Sequence, residues 1–400
     1  GLIETFDSTI GSTTVLMPYG GKYQLTPAEV SVQKVSVMND ETDVASMVGY
    51  GYNPYIARQN PFHAGALAVI ESMTKIVAAG GNYKNIRFTF QEYFERLGKD
   101  SKKWGKPLSA LLGTLYVQKI FGLASIGGKD SMSGTFHELT VPPTLVSFAV
   151  SVVNSENVIS GEFKKSGNNV YLITTPYDEN DLPNLPSLKT NFDFIAENIE
   201  NKIIVSCSAV KNGGLGEILA KMTFGNKLGA DIVTKIKENE LFKVNYGSFV
   251  IESSKELKGK NILLLGKVSD NGKLKLNDME IEIEEMIREW EKPLEKIFPT
   301  RKIVEENHSM PHCKGTKYIK SKYIEHENVI SRISNVIANP RVFIPVFPGT
   351  NCEYDLERAF NKEGAISKIG IFNNLSRSAI EESIDGFVKE INNSQILMLP

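Results

Sequence analysis

The clearest helix in the apolar pattern lies near the start of the chain. Apolar side chains recur at helical spacing from Pro61 to Ala79, Pro61 suits the first turn, and Gly80–Gly81 follows the last one. A second helix is predicted from Leu108 to Phe121, because Pro107 and Gly122 bound this stretch. The first part of the chain is therefore expected to contain two long helices.

Stretches rich in β-branched and apolar residues alternate with helical stretches and predict strands. One such strand, Thr144 to Val153, closes the first part, and the polar segment Ser160 to Asn169 follows it. The elements predicted after that segment are strands at Asn169–Thr174, Lys202–Ser206, Ser248–Glu252 and Asn261–Leu265, and a helix at Leu215–Met222. Strands that alternate with helices indicate an α/β or α+β domain.

The last third of the chain changes character twice. Glu280 to Ile297 is highly charged and predicts a helix that Pro293 kinks or ends. Thr300 to Pro340 is basic and polar with little apolar pattern, which is typical of a linker. Arg341 to Phe347 then predicts a buried strand, and a helix from Tyr354 to Glu363 and a further strand, helix and strand follow. This order is typical of a flavodoxin-like α/β domain that has only begun.

The pattern therefore predicts two domains of mixed α/β or α+β class, a linker and the start of a third domain. We place these segments at residues 1–158, 165–299, 300–340 and 341–400. A chain of 400 residues is too long for one ordinary core, which agrees with this division.

Composition and charge exclude several classes of protein. The 45 basic residues against 47 acidic residues give a formal charge of −2, whereas nucleic-acid-binding proteins usually carry a basic excess. No long uninterrupted apolar run suggests a membrane span, and the first residues lack the layout of a signal peptide. Three widely spaced cysteines give no disulfide framework. We therefore expect a cytoplasmic protein that binds neither nucleic acid nor membrane.

Both ends of the sequence suggest a piece of a longer chain. The N-terminus has no initiator Met and enters an apolar pattern directly. The C-terminal stretch Gln395 to Pro400 has the pattern of a buried strand and stops there. A fragment of a larger protein is therefore expected.

One short stretch, SIGGKDSMSGTF at residues 125–136, gathers small, polar and charged side chains. Gly127–Gly128 lets a ligand approach the backbone, whose successive N–H groups could bind an anion. Lys129 could neutralise phosphate, Asp130 could hold a cation, and Ser131 could donate a hydrogen bond to a phosphate oxygen. The stretch is neither a Walker sequence nor a dinucleotide-binding fingerprint, so a tight connection with solvated charges is an equal alternative.

Two further features have an ordinary interpretation beside a functional one. The glycine-rich stretch Lys211 to Gly216 could bind an anion at a helix N-terminus, or form a plain turn in which Asn212 caps the helix. We favour the turn. Glu71, on the first long helix, is either a metal ligand or a surface charge, and its residue type alone favours the surface charge.

Cysteine and histidine give no convincing catalytic or metal set. His308, His312 and Cys313 raise the question of zinc, but Pro311 prevents a regular helix from aligning the two histidines, and no second cysteine pair accompanies them. Cys352 could be a nucleophile at a strand-to-helix turn. No histidine follows it in the third domain, so a non-catalytic thiol is the better interpretation.

Several motifs in order resemble one enzyme family. They are GGKYQLTP at 20–27, AAGGNYKNIRFTFQEYFERL at 78–97, GGKDSMSGTF at 127–136, VPPTLVSFAV at 141–150 and VFPGTNCEYDLERAF at 346–360. Together they are similar to formylglycinamidine ribonucleotide amidotransferase, also called phosphoribosylformylglycinamidine synthase, of the large single-chain kind. The resemblance covers essentially the whole chain in the domain order of the family.

The resemblance implies a role in purine biosynthesis. Family members use ATP to phosphorylate the amide oxygen of formylglycinamide ribonucleotide, and ammonia then displaces phosphate to give the amidine. A C-terminal class I glutaminase domain supplies the ammonia from glutamine. The synthetase part has two related halves, each with an N-type and a C-type subdomain of the aminoimidazole ribonucleotide synthetase fold. This chain resembles the second half plus the start of the glutaminase domain.

The same resemblance assigns roles to five residues. In family members the equivalent glycine loop reaches an active site built mainly by the first half, with ATP and Mg²⁺. The substrate- and nucleotide-binding residues implied here are Gln91, Gly128, Lys129, Asp130 and Ser131. Gln91 would occupy the position of a nucleotide-contacting Asn, Ser131 would contact the substrate, and Lys129 would replace an Asn metal ligand. No complete catalytic set is expected within this chain.

The second half of some large family members also holds an auxiliary ADP with magnesium. Glu71 matches one of its metal carboxylates, and Asp7 is a weaker match. The Asn expected one helical turn after Glu71 is Lys75 here. The family motif HDxSDGGL is SAVKNGGL, so that Ala209 and Lys211 replace an Asp and a Ser. We expect a degenerate auxiliary site in which the two lysines replace the cation charge.

The expected partners follow from this division of the parent enzyme. They are the missing first half with its ATP and formylglycinamide ribonucleotide, and the glutaminase domain in cis. An apolar sheet surface without its partner half predicts a homodimer of the fragment. The chain alone should be inactive, and the alternative role is a scaffold that supports the catalytic half and docks the glutaminase. A stand-alone kinase-like or phosphatase-like protein would need a complete ATP site, which the sequence does not contain.

Overall fold

A computed structural model describes residues 13–37, 40–300 and 337–400. The chain divides into two compact units, with the division after residue 302. None of the helices in the described ranges combines the length and the apolar content needed to cross a bilayer. The predictions made for Asp7, for His308, His312 and Cys313, and for most of the linker fall outside the described residues.

The first unit begins with one large sheet and three helices. Its strands are β1 Tyr19–Gly20, β2 Thr26–Pro27, β3 Val30–Lys34, β4 Val44–Gly51, β5 Arg87–Tyr93, β6 Ser125–Lys129, β7 Thr135–Phe136, β8 Leu139–Thr140 and β9 Thr144–Asn154. Its helices are α1 Pro54–Gln59, α2 Pro61–Ala78 and α3 Ser101–Phe121. Five strands form the sheet in the order β3-β4-β9-β5-β6, antiparallel except for the parallel pair β5–β6.

Helix α2 confirms the predicted helix to within one residue at its end. The Asn60 side chain accepts a hydrogen bond from the His63 N–H at 3.1 Å, and Pro61 fills the first helical position. Gly80, just beyond the last turn, has a φ of +98°, which ends the helix without the strain of a Cβ atom. Residues 64–78 are all buried, so α2 lies inside the unit rather than on its surface.

Helix α3 begins earlier than predicted and contains Pro107. It starts at Ser101, seven residues before the expected start, and Asp100 caps its first turn. The helix packs closely against α2, where a Cβ on Gly65 or Gly113 would meet a backbone oxygen of the other helix at 2.2 or 2.0 Å. This contact favours one continuous helix, because the proline removes only one backbone hydrogen bond.

The two faces of the first sheet differ in their covering. Helix α2 packs against β4 and β9, and α3 packs against α2. On the other face Val44, Val48 and Val152 are 46%, 38% and 55% exposed. An open apolar sheet face of this kind is typical of an interaction surface.

The second part of the first unit is another sheet with helices. Its strands are β10 Asn169–Ile173, β11 Ile204–Val210, β12 Gly229–Ile232, β13 Ser248–Ser253, β14 Ile262–Ser269, β15 Lys273–Leu276 and β16 Met279–Glu282. Its helices are α4 Leu185–Glu200, α5 Gly214–Phe224, α6 Glu238–Leu241 and α7 Ile283–Glu291. The strand order is β11-β13-β10-β14-β12-β15-β16, and only β12 and β15 pair in parallel.

One of the buried clusters in the first unit contains residues of both sheets. The cluster of buried residues that contains Ile70 and Phe88 also contains Phe192 and Phe249. Helix α2 thus contributes to the packing of both parts. The separate subdomain boundaries near residues 158 and 165 remain a prediction from the sequence.

The helix predicted from Glu280 to Ile297 is wrong at its start, whereas the expected interruption at Pro293 is present. Residues 279–282 instead form β16, which pairs with β15 in a hairpin. The α-helix ends at Glu291, and a 3-10 turn at Lys292–Leu294 follows, because Pro293 cannot continue the hydrogen-bond pattern. The charge pattern of residues 280–297 gave no sign that the first of these residues pair with β15 instead of joining the helix.

The second unit is described from residue 337. Its elements are β17 Arg341–Val346, α8 Glu353–Lys362, β18 Ile366–Ile371, α9 Arg377–Asn392 and β19 Ile396–Leu397. The strands form a parallel sheet in the order β18-β17-β19, and a helix follows each of the first two strands along the chain. The predicted alternation of strands and helices is therefore present, with β17 in the centre.

Candidate functional site

The predicted glycine loop is in part a strand at the edge of the first sheet. Residues 125–129 form β6, which is exposed along its whole length and pairs with β5. In this register Gln91 lies opposite Lys129 and Phe90 lies opposite Gly128. The expectation of a free loop was therefore wrong for these residues, because a parallel pairing with a distant strand is invisible in the local sequence.

Gly128 has a steric reason to be glycine. A Cβ atom at this position would lie 2.6 Å from the carbonyl oxygen of Phe90 on β5. At Gly127 nothing lies within 4 Å of such an atom. Only the second glycine is therefore needed for the close approach of the two strands.

The turn after β6 is tied to the sheet through its backbone. The Ser131 N–H donates to the Glu92 carbonyl at 3.1 Å, and the Phe94 N–H donates to the Ser131 carbonyl at 2.9 Å. The Ser131 hydroxyl lies 2.9 Å from the Ser133 hydroxyl. Lys129 donates to the Asp130 carbonyl and stays exposed. The backbone is thus fixed while the polar side chains face outward.

These contacts bring together the five residues predicted to bind substrate and nucleotide. We call the set of Gln91, Gly128, Lys129, Asp130 and Ser131 the rim. Along one sheet edge it presents the exposed Lys129 ammonium and Asp130 carboxylate beside the half-buried Ser131 hydroxyl and Gln91 amide, and this amide donates to the Glu92 carbonyl at 3.0 Å. Such an edge can bind an anionic ligand only if another surface faces it, because it has no walls of its own.

Glu92 belongs beside the rim, and the sequence analysis missed it. Only 7% of this residue is exposed, and its Oε1 atom has no hydrogen-bond partner among the described residues. Burial, with the charge of Asp130, raises the pKa of Glu92 to about 7. The alternation of Phe88, Phe90 and residue 92 along β5 places this carboxyl on the covered face, and that signal was present in the sequence.

Glu71 lies away from the rim, in the interior of the first unit. Its Oε1 contacts the Lys75 ammonium at 2.7 Å, and its Oε2 accepts a hydrogen bond from the Tyr52 N–H at 3.2 Å. The Lys75 ammonium also donates to the Tyr50 carbonyl at 2.7 Å. Glu71 is therefore a buried partner of a lysine and not a surface charge.

Lys211 makes a second ion pair, with Glu29, in which the lysine and glutamate side chains are 21% and 14% exposed. The Glu29 carboxylate also accepts a hydrogen bond from the Ala209 N–H at 2.9 Å. Burial alone would raise the pKa of Glu29, but the charges of Lys211 and Lys75 lower it below its ordinary value. We call Glu29, Glu71, Lys75 and Lys211 the charge cluster.

A magnesium ion does not fit the contacts at Glu71. Both of its carboxylate oxygens already have partners, and one partner is a cation. No group of three or more His, Cys, Asp or Glu side chains that could hold a metal forms within the described ranges. The metal role of Glu71 stays a prediction, and this structure gives it no support.

The glycine-rich stretch before α5 forms a turn, as we favoured. Gly213 is the residue before the helix, with a φ of +101°, and no side chain caps the helix there. The expected cap by Asn212 is therefore wrong. A Cβ on Gly214 would lie 2.6 Å from the carbonyl oxygen of Leu241, the last residue of α6. The end of α6 therefore already packs against the N-terminus of α5.

Cys352 is exposed and precedes α8 with a φ of +71°. The sequence places no histidine in residues 337–400. Within residues 337–400 no histidine is therefore available to act as a general base for the thiol.

No protein-family model matches the chain. Among curated proteins it is similar to phosphoribosylformylglycinamidine synthase subunit PurL of Thermoplasma volcanium, with 22% identity over 258 residues, and of Thermococcus sibiricus, with 24% over 276 residues. These alignments cover 58% and 62% of this chain, and 32% and 36% of the relatives. The PurL subunit of Thermoplasma acidophilum is 20% identical over 340 residues, which is 74% of this chain and 42% of that protein. The chain thus spans less than half the length of these relatives.

Solved structures show the same likeness in the fold. The structure of PurLQS from Thermotoga maritima matches with a TM-score of 0.52 and 13% identity, over 68% of this chain and 50% of that chain. PurL of T. maritima complexed with FGAR matches with a TM-score of 0.50 and 11% identity, over 67% and 49%. At these identities the likeness shows the fold alone.

The fold is therefore of the same class as that of the T. maritima PurL structures. Within that class, the sequence matches relate the chain to phosphoribosylformylglycinamidine synthase, through part of its PurL subunit.

Proposed function

We propose that this chain is the second synthetase half of a large single-chain phosphoribosylformylglycinamidine synthase, together with the start of its glutaminase domain. The parent enzyme would convert formylglycinamide ribonucleotide, glutamine and ATP to formylglycinamidine ribonucleotide, glutamate, ADP and phosphate. The motif order supports this proposal, as do the PurL relatives and the parallel α/β unit after residue 337. The chain alone would be inactive.

The rim would act on the phosphoryl-transfer step. ATP transfers its terminal phosphoryl group to the amide oxygen of the substrate, and ammonia then attacks the amide carbon and expels phosphate. Negative charge is present on the phosphoryl oxygens throughout both steps, and a nearby fixed cation stabilises it. Lys129 would supply that cation, and Ser131 would donate a hydrogen bond. Magnesium would enter with ATP on the first half, since the described residues offer it no ligand set.

The observation that carries this proposal is the pairing of Gln91 with Lys129 at an exposed sheet edge. Two residues 38 positions apart, taken from two separate motifs, lie side by side. We infer that both residues contact the same ligand. Because every residue of β6 is exposed, a second protein surface must enclose that ligand. The missing first half would provide that second wall.

The test is Lys129→Met in the full-length parent enzyme, assayed with ammonia so that glutamine hydrolysis does not enter. We expect kcat to fall about 100-fold or more, as for other fixed groups that stabilise transition-state charge. Lys119→Met on α3 is the matched control, because Lys119 is also an exposed lysine. Unchanged kcat in the Lys129 variant would refute a direct role of the rim.

The alternative role is a scaffold that supports the first half and docks the glutaminase. The contact between Lys75 and Glu71 favours it, because the auxiliary nucleotide site is then replaced by an internal ion pair. The same experiment separates the two roles. A Lys129→Met or Ser131→Ala enzyme with full ammonia-dependent activity and a lowered melting temperature would favour the scaffold.

We propose no glutaminase activity for the second unit by itself. Class I glutaminases place their nucleophile, His and Glu on later elements than those resembled by residues 341–400. Purified protein should release no glutamate from glutamine above background. Glutamate release that Cys352→Ser abolishes would contradict this assignment. The predicted homodimer stays a prediction, for which the open face of the first sheet is the available surface.

A further inference from the structure

The charge cluster lies in the first unit, and the proposed reaction does not use it. Glu71 and Lys75 come from α2, Glu29 precedes β3, and Lys211 directly follows β11 of the second sheet. We infer that this cluster joins the two sheets without a metal ion or a nucleotide, with the Lys75 ammonium in the position of a cation bound to Glu71. The inference is independent of the reaction proposed for the rim.

The surroundings of Lys75 are those of a bound cation. Its ammonium contacts a carboxylate oxygen of Glu71 and the carbonyl oxygen of Tyr50, both at 2.7 Å. It also lies 4.2 Å from the centre of the Tyr50 ring. A carboxylate, a carbonyl and an aromatic face all attract positive charge, and only 5% of the Lys75 side chain is exposed. The lysine is therefore a fully enclosed cation.

A second positive ion has no place beside Glu71. The other carboxylate oxygen accepts the Tyr52 N–H at 3.2 Å, so no oxygen of Glu71 is left over. A divalent ion would have to displace the ammonium or lie next to it. Either arrangement is unfavourable in a buried site, where like charges are poorly screened.

The two ion pairs of the cluster also act on each other. Burial opposes ionisation of Glu29, but Lys211 and then Lys75 lower its pKa. Burial likewise opposes the charge of Lys211, while Glu29, Glu217 and Glu71 raise its pKa. Each lysine is thus stabilised by carboxylates of both pairs. Two carboxylates and two ammonium groups sum to zero charge, so the cluster needs no further ion for neutrality.

The neighbouring cavity offers a phosphate no free cationic side chain among the described residues. It has a volume of about 210 Å³, and its only charged lining residues in the described part of the chain are Glu29 and Lys75. Both are already engaged within the cluster. A nucleotide there would face a carboxylate and a lysine that is not free to pair with it.

The first experiment measures the melting temperature of the full chain with EDTA, with Mg²⁺ alone, and with Mg²⁺ and ADP. We expect the same value in all three conditions, because a ligand stabilises only a protein that binds it. A rise with Mg²⁺ and ADP that is lost in Glu71→Gln would overturn the inference. A rise that is lost in Lys129→Met and kept in Glu71→Gln would instead place nucleotide at the rim and leave the cluster as inferred.

The second experiment is a double-mutant cycle between Glu71 and Lys75. Lys75→Met should lower the melting temperature by about 10 °C, because it leaves a buried carboxylate without its partner. In the double variant with Glu71→Gln the melting temperature should fall by less than the sum of the two single decreases, since both charges are removed together. It also remains measurable if a single variant fails to fold.

The exposed pair Lys258–Glu256 provides the control cycle. Its side chains are 83% and 71% exposed, and the contact is 3.4 Å. Lys258→Met and Glu256→Gln should each shift the melting temperature by about 1 °C or less, and their effects should add. The inference would be overturned if the Glu71 and Lys75 variants shifted the melting temperature as little as the control variants do, with effects that add.

Discussion

The rim and the charge cluster place lysine in opposite situations within one unit. Lys129 lies exposed at a sheet edge, and among the described residues its ammonium donates to the carbonyl of the next residue, Asp130. Lys75 and Lys211 lie against carboxylates inside the unit. The same side chain is available for a ligand in one place and is used for folding in the other.

The difference shows which feature identifies a binding residue. A lysine in a family motif is informative only if its ammonium is not already neutralised. Lys129 meets that condition, because no carboxylate within 4.0 Å of it is present among the described residues. Lys75 and Lys211 do not meet it. Stability measurements should therefore separate the two regions more clearly than the sequence does.

The largest expected effect is that of Glu29→Gln. This change leaves the Lys211 ammonium without its carboxylate and should lower the free energy of unfolding by about 3 kcal/mol. Asp130→Asn on the rim should change it by no more than about 0.5 kcal/mol, because surface substitutions rarely do more. Urea denaturation of both variants measures the difference. Equal effects would mean that the cluster is no more structural than the rim.

The next largest expected effect is that of Glu92, which makes the free energy of unfolding depend on pH. The unfolded chain releases this proton near its ordinary value of 4.5, while the folded state keeps it up to about 7. Folding stability is therefore lost as the pH rises through this window. Glu92→Gln cannot ionise, so it should be more stable than the parent by about 3 kcal/mol at about pH 8 and by about 1 kcal/mol at about pH 5.5.

Denaturation of Glu92→Gln at several pH values tests this sign and this window. Glu138→Gln serves as the control, because Glu138 is an exposed carboxyl near the same edge. Its stability difference from the parent, measured at the same pH values, is the baseline for the comparison. Parallel pH curves for Glu92→Gln and the parent would show that Glu92 ionises normally in the folded state.

Local patterns in the sequence were enough for α2 and for most strands. The helix limits followed from Pro61 and Gly80, whose backbone preferences act within one turn. The gathering of the rim residues also followed from the motifs. In contrast, the continuation of α3 through Pro107 depends on its packing against α2, which no local rule contains.

Long-range pairings account for the other errors. Glu29 and Lys211 are 182 residues apart, so no spacing rule could connect them. The pairing of β5 with β6 likewise joins segments separated by the whole of α3. Glu92 is different, because its place on the covered face could have been read from the alternation along β5. A carboxyl at an inward position of a strand is thus a signal that sequence analysis can use.

The smallest effect concerns the backbone of the rim. Gly128→Ala places a Cβ 2.6 Å from the Phe90 carbonyl oxygen, so the edge strand must shift, and stability should fall by about 1–3 kcal/mol. Gly127→Ala is the matched control, since nothing lies within 4 Å of its Cβ, and it should stay within about 0.5 kcal/mol of the parent. Urea denaturation compares the two variants. If both are neutral, β6 is not held against β5 as described, and the rim would have no fixed backbone from which to present Lys129. If only Gly128→Ala is destabilised, the rim has a backbone fixed by the fold, as the charge cluster has, and differs from the cluster in that its side chains are left for a ligand.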